Sequence, residues 1–172
     1  MESFKRLKFR HLIVLFFKIN RERVTNGLWN WFPEEKYPFY RISELKNGVS
    51  FIASQNKTLL AAEIACDAYD DMWLMSEERL KDKILTYISE IYGVHKSEVF
   101  GYDIFKTEFG YPIYLIEYDK IRKEIGFETT VENLYLAGRG GQFRYILTEE
   151  SYDNGIECAR RIHMSLYNEE DE

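Results

Sequence analysis

Apolar residues run unbroken from Leu12 to Phe17, inside a Phe-, Ile-, Val- and Leu-rich stretch from Phe9 to Ile19. That pattern predicts a central, buried strand. Gly27–Phe32 predicts a second strand, with Trp29 and Trp31 two positions apart on one face. Pro33–Lys36 predicts a turn, and Pro38 holds Tyr37 extended. Phe39–Ser43 and Val49–Ala53 predict a hairpin across Lys46-Asn47-Gly48, because Asn-Gly favours the left-handed turn geometry. Leu59–Ala68 predicts another strand, its alanines leaving a helix as the alternative. Ser76–Tyr92 predicts the clearest helix: Ser76 at the N-cap, Glu77 and Glu78 in the first turn, Leu80, Ile84, Tyr87, Ile88 and Ile91 at helical spacing, and Gly93 as the stop. Val99–Phe105 and Tyr111–Ile116 predict two more strands, and Tyr118–Ile125 a short helix.

The last part of the chain follows a different pattern. Leu134–Ala137 is a short apolar run of strand character, followed by Gly138, Gly140 and Gly141 and then by a long helix that Thr148 is placed to cap. Glycines at such a turn permit positive φ and close approach of backbone to a ligand. The free amides that open a helix favour negative charge in front of them. The predicted whole is an α+β fold, an antiparallel sheet carrying helices, closed by a strand, a glycine-rich turn and a helix. The expected division is a region over 1–132, a terminal βα motif over 133–168 and a solvated acidic tail over 169–172.

Composition narrows the function classes. Over 172 residues, 45% apolar and 30% charged content describes a folded globular chain, and a net charge of −6 disfavours a nucleic-acid surface. With 13 Tyr and 12 Phe the aromatic share is high, as cores and interfaces require. Cys66 and Cys158 lack metal-ligand spacing and are expected to be buried free thiols in a cytoplasmic protein. Lys5, Arg6, Lys8 and Arg10 ahead of Leu12–Phe17 imitate a signal peptide. The apolar run is too short for one and far below the ~20 residues of a membrane helix. His11, His95 and His163 are scattered, Asp67, Asp70 and Asp71 lack the spacing of a calcium loop, and no G-x-S-x-G occurs. No metal is therefore expected, and no general base is assigned.

The residues Asn133, Leu134, Tyr135, Gly138, Arg139, Gly141, Phe143, Tyr145, Ser151 and Gly155 resemble the closing motif of flavin-dependent oxidoreductases of the amine oxidase and protoporphyrinogen oxidase type. Some members of that group are similar to UDP-galactopyranose mutase. Phe39-Tyr40-Arg41-Ile42, Glu63-Ile64 and Tyr111–Tyr114 match shorter signatures of the same group. Such proteins begin with a strand, G-x-G-x-x-G and a helix, a motif that occurs nowhere here. The resemblance thus implies the carboxy-terminal portion of such an enzyme, binding FAD only when an FAD-binding half completes it. It implies as partner a separate FAD-binding chain, or self-association through the uncovered surface.

The same resemblance assigns candidate residues. Gly138, Arg139, Gly140, Gly141, Phe143, Arg144 and Tyr145 are the cofactor-side set. Arg139 either neutralises a flavin or is a surface arginine pairing with Glu149 or Glu150; Phe143 and Tyr145 either flank the isoalloxazine or anchor the turn. Ile146 and Leu147 replace polar residues common in relatives. Arg41, Tyr111 and Tyr114 are the substrate-side set, the two tyrosines being expected on one strand face, with a proline-stiffened strand of packed tyrosines as the alternative. Three functions follow: a portion of a flavin-dependent oxidoreductase, a non-catalytic interaction or sugar-binding module, and part of a flavin-dependent nucleotide-sugar mutase.

Overall fold

The computed structural model describes residues 3–125 and 133–167, so the expected tail over 169–172 lies outside the described residues. In chain order the elements are β1 (Lys8–Ile19), β2 (Trp29–Trp31), β3 (Arg41–Glu44), β4 (Thr58–Cys66), α1 (Asp71–Leu74), α2 (Glu77–Tyr92), β5 (Val99–Ile113), α3 (Tyr118–Ile125), α4 (Gly138–Gln142) and α5 (Thr148–Tyr167). The chain forms two compact units, one of residues 9–111 and one of residues 1–8 with 112–172.

The larger unit is an antiparallel sheet in the order β2-β3-β4-β1-β5 with α2 packed on one face. Its register follows from the apolar pattern. Ile13 pairs with Ile64, Leu15 with Ala62 and Phe17 with Leu60, and all of these point toward α2. Leu80, Ile84 and Ile88 of α2 complete that core, so the helix buries the stripe its spacing predicted. Gly93 ends α2 at φ +62, donating its amide to Ser89. The next positions along each strand, Val14 opposite Glu63 and Arg41 opposite Glu63, lie on the other face.

Glu44 breaks the pattern by facing the core with no exposed surface. Its carboxylate accepts from Val24 N at 2.9 Å, Thr25 N at 2.5 Å, Thr58 Oγ1 at 2.7 Å and Asn47 Nδ2 at 3.2 Å. These bonds tie the loop before β2 to the sheet and satisfy the buried charge without a cation.

Three local expectations are corrected. Lys46-Asn47-Gly48 makes no hairpin: Leu45–Asn47 and Ser50–Ile52 are single 3₁₀ turns, and Gly48 has φ −98. Lys46 Nζ instead donates to four carbonyls, those of Glu22, Ser54, Gln55 and Lys57, and Asn47 Nδ2 donates to the carbonyls of Thr25 and Gly27. These side-chain bonds win over the Asn-Gly turn preference. Val99–Phe105 and Tyr111–Ile116 are not two strands, because β5 runs on through Gly110. A Cβ there would lie 2.6 Å from Leu12 Cβ, so Gly110 marks a close approach to β1, not a turn. Cys66 is buried, whereas Cys158 is half-buried; both are free.

In the smaller unit, Leu134–Ala137 pairs with no strand among the described residues, although Ala137 is extended at φ −132 and ψ 159. Thr148 is the first residue inside α5, not its cap; Glu150 reaches back to accept from Leu147 N at 3.1 Å. Arg6 pairs with Glu124 of α3 at 2.5 Å. No described helix is long and apolar enough to cross a membrane.

Candidate functional site

The glycine segment of the smaller unit is a short helix. Gly138 opens it at φ +72, which only glycine adopts freely, and Phe143 closes it in the left-handed region at φ +48. Phe143 tolerates that conformation because its ring is buried against Tyr114, centroids 5.7 Å apart. Tyr114 also touches Tyr118 and Tyr145, at 5.1 and 5.9 Å. These four aromatic residues anchor the turn. Tyr114 thus belongs to a packed cluster, with its hydroxyl buried and unpartnered.

Gly138 and Gly140 have open space where a Cβ would stand, whereas Gly141 backs onto Leu136. The Gly138 amide is already taken by Asn154 Oδ1 at 2.6 Å, and Gln142 O accepts from Arg122 Nε at 3.0 Å. Arg139 lies 4.5 Å from the centroid of the half-exposed Tyr145 ring, and Arg144 is exposed. For a flavin these residues fit in part. They offer a flat, open backbone surface at Gly138 and Gly140 and a cation at Arg139. Of the amides that open α4, that of Gly138 is spent on Asn154 Oδ1, and the first turn of a helix leaves the amides behind it outside the intrahelical ladder.

In the larger unit, the sheet face turned away from α2 carries a connected polar network. Arg41 Nε and Nη2 donate to the two oxygens of Glu63 at 2.7 and 2.6 Å. Tyr40 donates to Glu63 Oε2 at 2.8 Å, and Ser43 to Oε1 at 3.4 Å. The fork-to-carboxylate geometry fixes the guanidinium plane and raises the Arg41 pKa further. Burial, then the Glu63 carboxylate, then a hydrogen bond with Tyr111 push the Tyr40 phenol far above its ordinary value. Arg41 and Tyr111 are therefore brought into one network through Tyr40. Tyr114 is three residues from Tyr111 and beyond the end of β5, so the expectation that the two share one strand face does not hold.

The indoles of Trp29 and Trp31, 57% and 60% exposed, flank Arg41 at 5.7 and 5.0 Å from its guanidinium carbon. Arg41 Nη1 has no hydrogen-bond partner among the described residues. Four donors already occupy Glu63. The arrangement is a rigid, cation-tipped aromatic platform that offers a donor and no free carboxylate.

Trp29 and Trp31 were not singled out by sequence as functional candidates, and Tyr40 and Glu63, though they stand in the family signatures, were given no role. The signals were present: two indoles at period two, and an acidic residue inside an otherwise apolar strand. Among the described residues no group of three or more His, Cys, Asp or Glu side chains is placed to hold a metal.

The chain superposes on reduced UDP-galactopyranose mutase with a TM-score of 0.69 at 18% identity, covering 84% of this chain and 31% of that one. A protoporphyrinogen oxidase homologue from Exiguobacterium sp. 255-15 gives a TM-score of 0.63 at 17% identity, over 80% of this chain and 31% of that one. At such identity the likeness establishes the fold, and the chain spans about a third of the length of either structure. No curated protein matches the sequence. The sequence profile described as flavin containing amine oxidoreductase matches residues 1–163, and the chain belongs to that family.

Proposed function

We propose that this chain is the carboxy-terminal portion of an FAD-dependent oxidoreductase, active only with an FAD-binding half carried on the same or another polypeptide. The observation that carries the reading is α5. Its 20 residues include none that is buried, and Tyr152, Ile156, Met164, Leu166 and Tyr167 are exposed along it. A long helix with that much open apolar surface requires another body to cover it. FAD, when bound, supplies the electron-transfer chemistry. This chain contributes the open glycine surface with Arg139 on the cofactor side, and Arg41 with Tyr40 and Tyr111 on the substrate side. The test is reconstitution with a polypeptide bearing strand, G-x-G-x-x-G and helix. Flavin absorbance retained through gel filtration only when both parts are present supports the reading. Tight FAD binding by this chain alone, or a colourless complex, overturns it.

A second reading concerns the substrate. Arg41 repels a cation, and Glu63 has no oxygen left to accept from one. An ammonium therefore finds no open carboxylate on this face and only the indoles to lie against, whereas an oxygen-rich or anionic molecule finds Arg41 Nη1 as a donor and the same indoles as stacking surface. That favours a nucleotide sugar, the class named for the mutase of similar fold, over an amine. Product analysis of the reconstituted enzyme with reduced flavin separates isomerisation of such a sugar from oxidation of an amine.

A further inference from the structure

On the α2 side of the sheet, away from Arg41, a cavity of about 300 Å³ is lined by Lys81 and Leu85 of α2, by Lys96, and by Val99, Phe100, Gly101 and Tyr102 at the start of β5. We infer that it is a binding site for a small organic anion carrying one ring. Nothing in the proposed flavin chemistry uses it.

The polar end of the cavity is built by two lysines that share one carboxylate oxygen. Lys81 Nζ is 2.9 Å and Lys96 Nζ 3.7 Å from Asp82 Oδ1. Asp82 thus holds both ammonium groups side by side while neutralising only one of them. Its own pKa is lowered by Lys81 and Lys96, so it stays ionised. Lys57 adds a third ammonium, 4.6 Å from the centroid of the Phe100 ring. Glu78, acting electrostatically on Lys81, is the other acid in the vicinity. Lys18, beyond Gly101, is matched by Asp103 at 2.7 Å and leaves the balance unchanged. The two charged residues of the lining are both lysines and share one carboxylate oxygen, which leaves room for a negative charge in a protein whose overall charge is −6.

The remaining walls decide what the charge is attached to. Leu85, Val99, Phe100 and Tyr102 present apolar and aromatic surface, and Lys81 Nζ stands 5.4 Å from the Tyr102 ring centroid. The volume is at the lower end of the range for small-molecule pockets, which suits a single ring. An anionic head at Lys81 and Lys96, with a ring against Phe100 and Tyr102, uses every group that lines the cavity.

The test is titration of the whole chain with phenyl phosphate, inorganic phosphate and benzyl alcohol, followed by amide chemical shifts. Saturable shifts at Lys81, Lys96, Phe100 and Tyr102 are expected with phenyl phosphate. Lys81→Met/Lys96→Met, which keeps the apolar stems, is expected to weaken binding about tenfold or more. Phe100→Ala, at a half-exposed position, is expected to weaken phenyl phosphate but not inorganic phosphate. Shifts that fail to saturate, or equal affinity in the double lysine variant, overturn the site. Equal affinity for phosphate with and without the phenyl group overturns the ring.

Discussion

Replacing Glu44 with Gln tests whether the buried carboxylate holds β2 in place. The carboxylate accepts four hydrogen bonds, two on each oxygen: Val24 N and Thr58 Oγ1 on one, Thr25 N and Asn47 Nδ2 on the other. A glutamine keeps one acceptor oxygen and turns an NH₂ toward the other pair. In its better orientation the NH₂ faces Val24 N and Thr58, whose hydroxyl rotates to accept, and only the Val24 amide is orphaned. An orphaned buried donor costs about 1–3 kcal/mol, and the two bonds that remain lose their charge assistance. Relief from burying a charge offsets part of this. The net loss is about 2–3 kcal/mol. With a urea m-value of about 2 kcal/mol/M, the unfolding midpoint falls by roughly 1–1.5 M. The same substitution frees the loop that leads into β2, so acrylamide quenching of the Trp29 and Trp31 fluorescence should change before global unfolding. A midpoint equal to that of the parent, with quenching unchanged, would refute the argument that this carboxylate anchors the strand.

Gly110→Ala places a Cβ 2.6 Å from Leu12 Cβ and 3.0 Å from Arg10 O, so β5 must shift from β1 at a cost of about 1–3 kcal/mol, read by urea melts. Burial raises the Tyr92 pKa from 10.0 to about 12, so the stability it contributes is complete below pH 10.0 and is lost as pH rises through about 12. Its buried hydroxyl has no partner, so Tyr92→Phe should leave neutral stability equal or higher and make the alkaline limb shallower. Arg21 and the His95 amide hold the Glu98 carboxyl below its ordinary 4.5; its contribution is present above that value and is lost as pH falls through the lowered pKa. Glu98→Gln should therefore lower the melting temperature at pH 7 and flatten its decline in acid.

The strands that face α2 were legible because their residues obey one period at a time. Leu12–Phe17 and Leu60–Ile64 are apolar enough to declare themselves, and α2 carries a helical stripe between recognisable caps. What misled was local chemistry answering to distant partners. Asn47-Gly48 reads as a hairpin turn, yet Asn47 and Lys46 spend their donors on carbonyls of two other loops. Val99–Phe105 and Tyr111–Ile116 read as two strands, yet β5 is continuous and the missing side chain of Gly110 serves a close strand contact. The site was half legible in the same sense. Arg41 and Tyr111 were singled out from resemblance, but the carboxylate joining them sits on another strand. That pairing depends on the β3–β4 register, which no local pattern reveals.

The division of labour follows from which groups are already spent. On the Arg41 face the oxygens of Glu63 are occupied by four donors, and the phenol of Tyr40 is held protonated. Among the described residues this face therefore has a donor and stacking surfaces. A surface so equipped can orient a ligand. On the side proposed to face the cofactor, Asn154 takes the Gly138 amide, which leaves open backbone surface at Gly138 and Gly140 beside the Arg139 guanidinium. Under the proposed reading, a surface that orients a ligand and a long helix with exposed apolar residues are two sides of one physical requirement: another body that binds the flavin and covers α5.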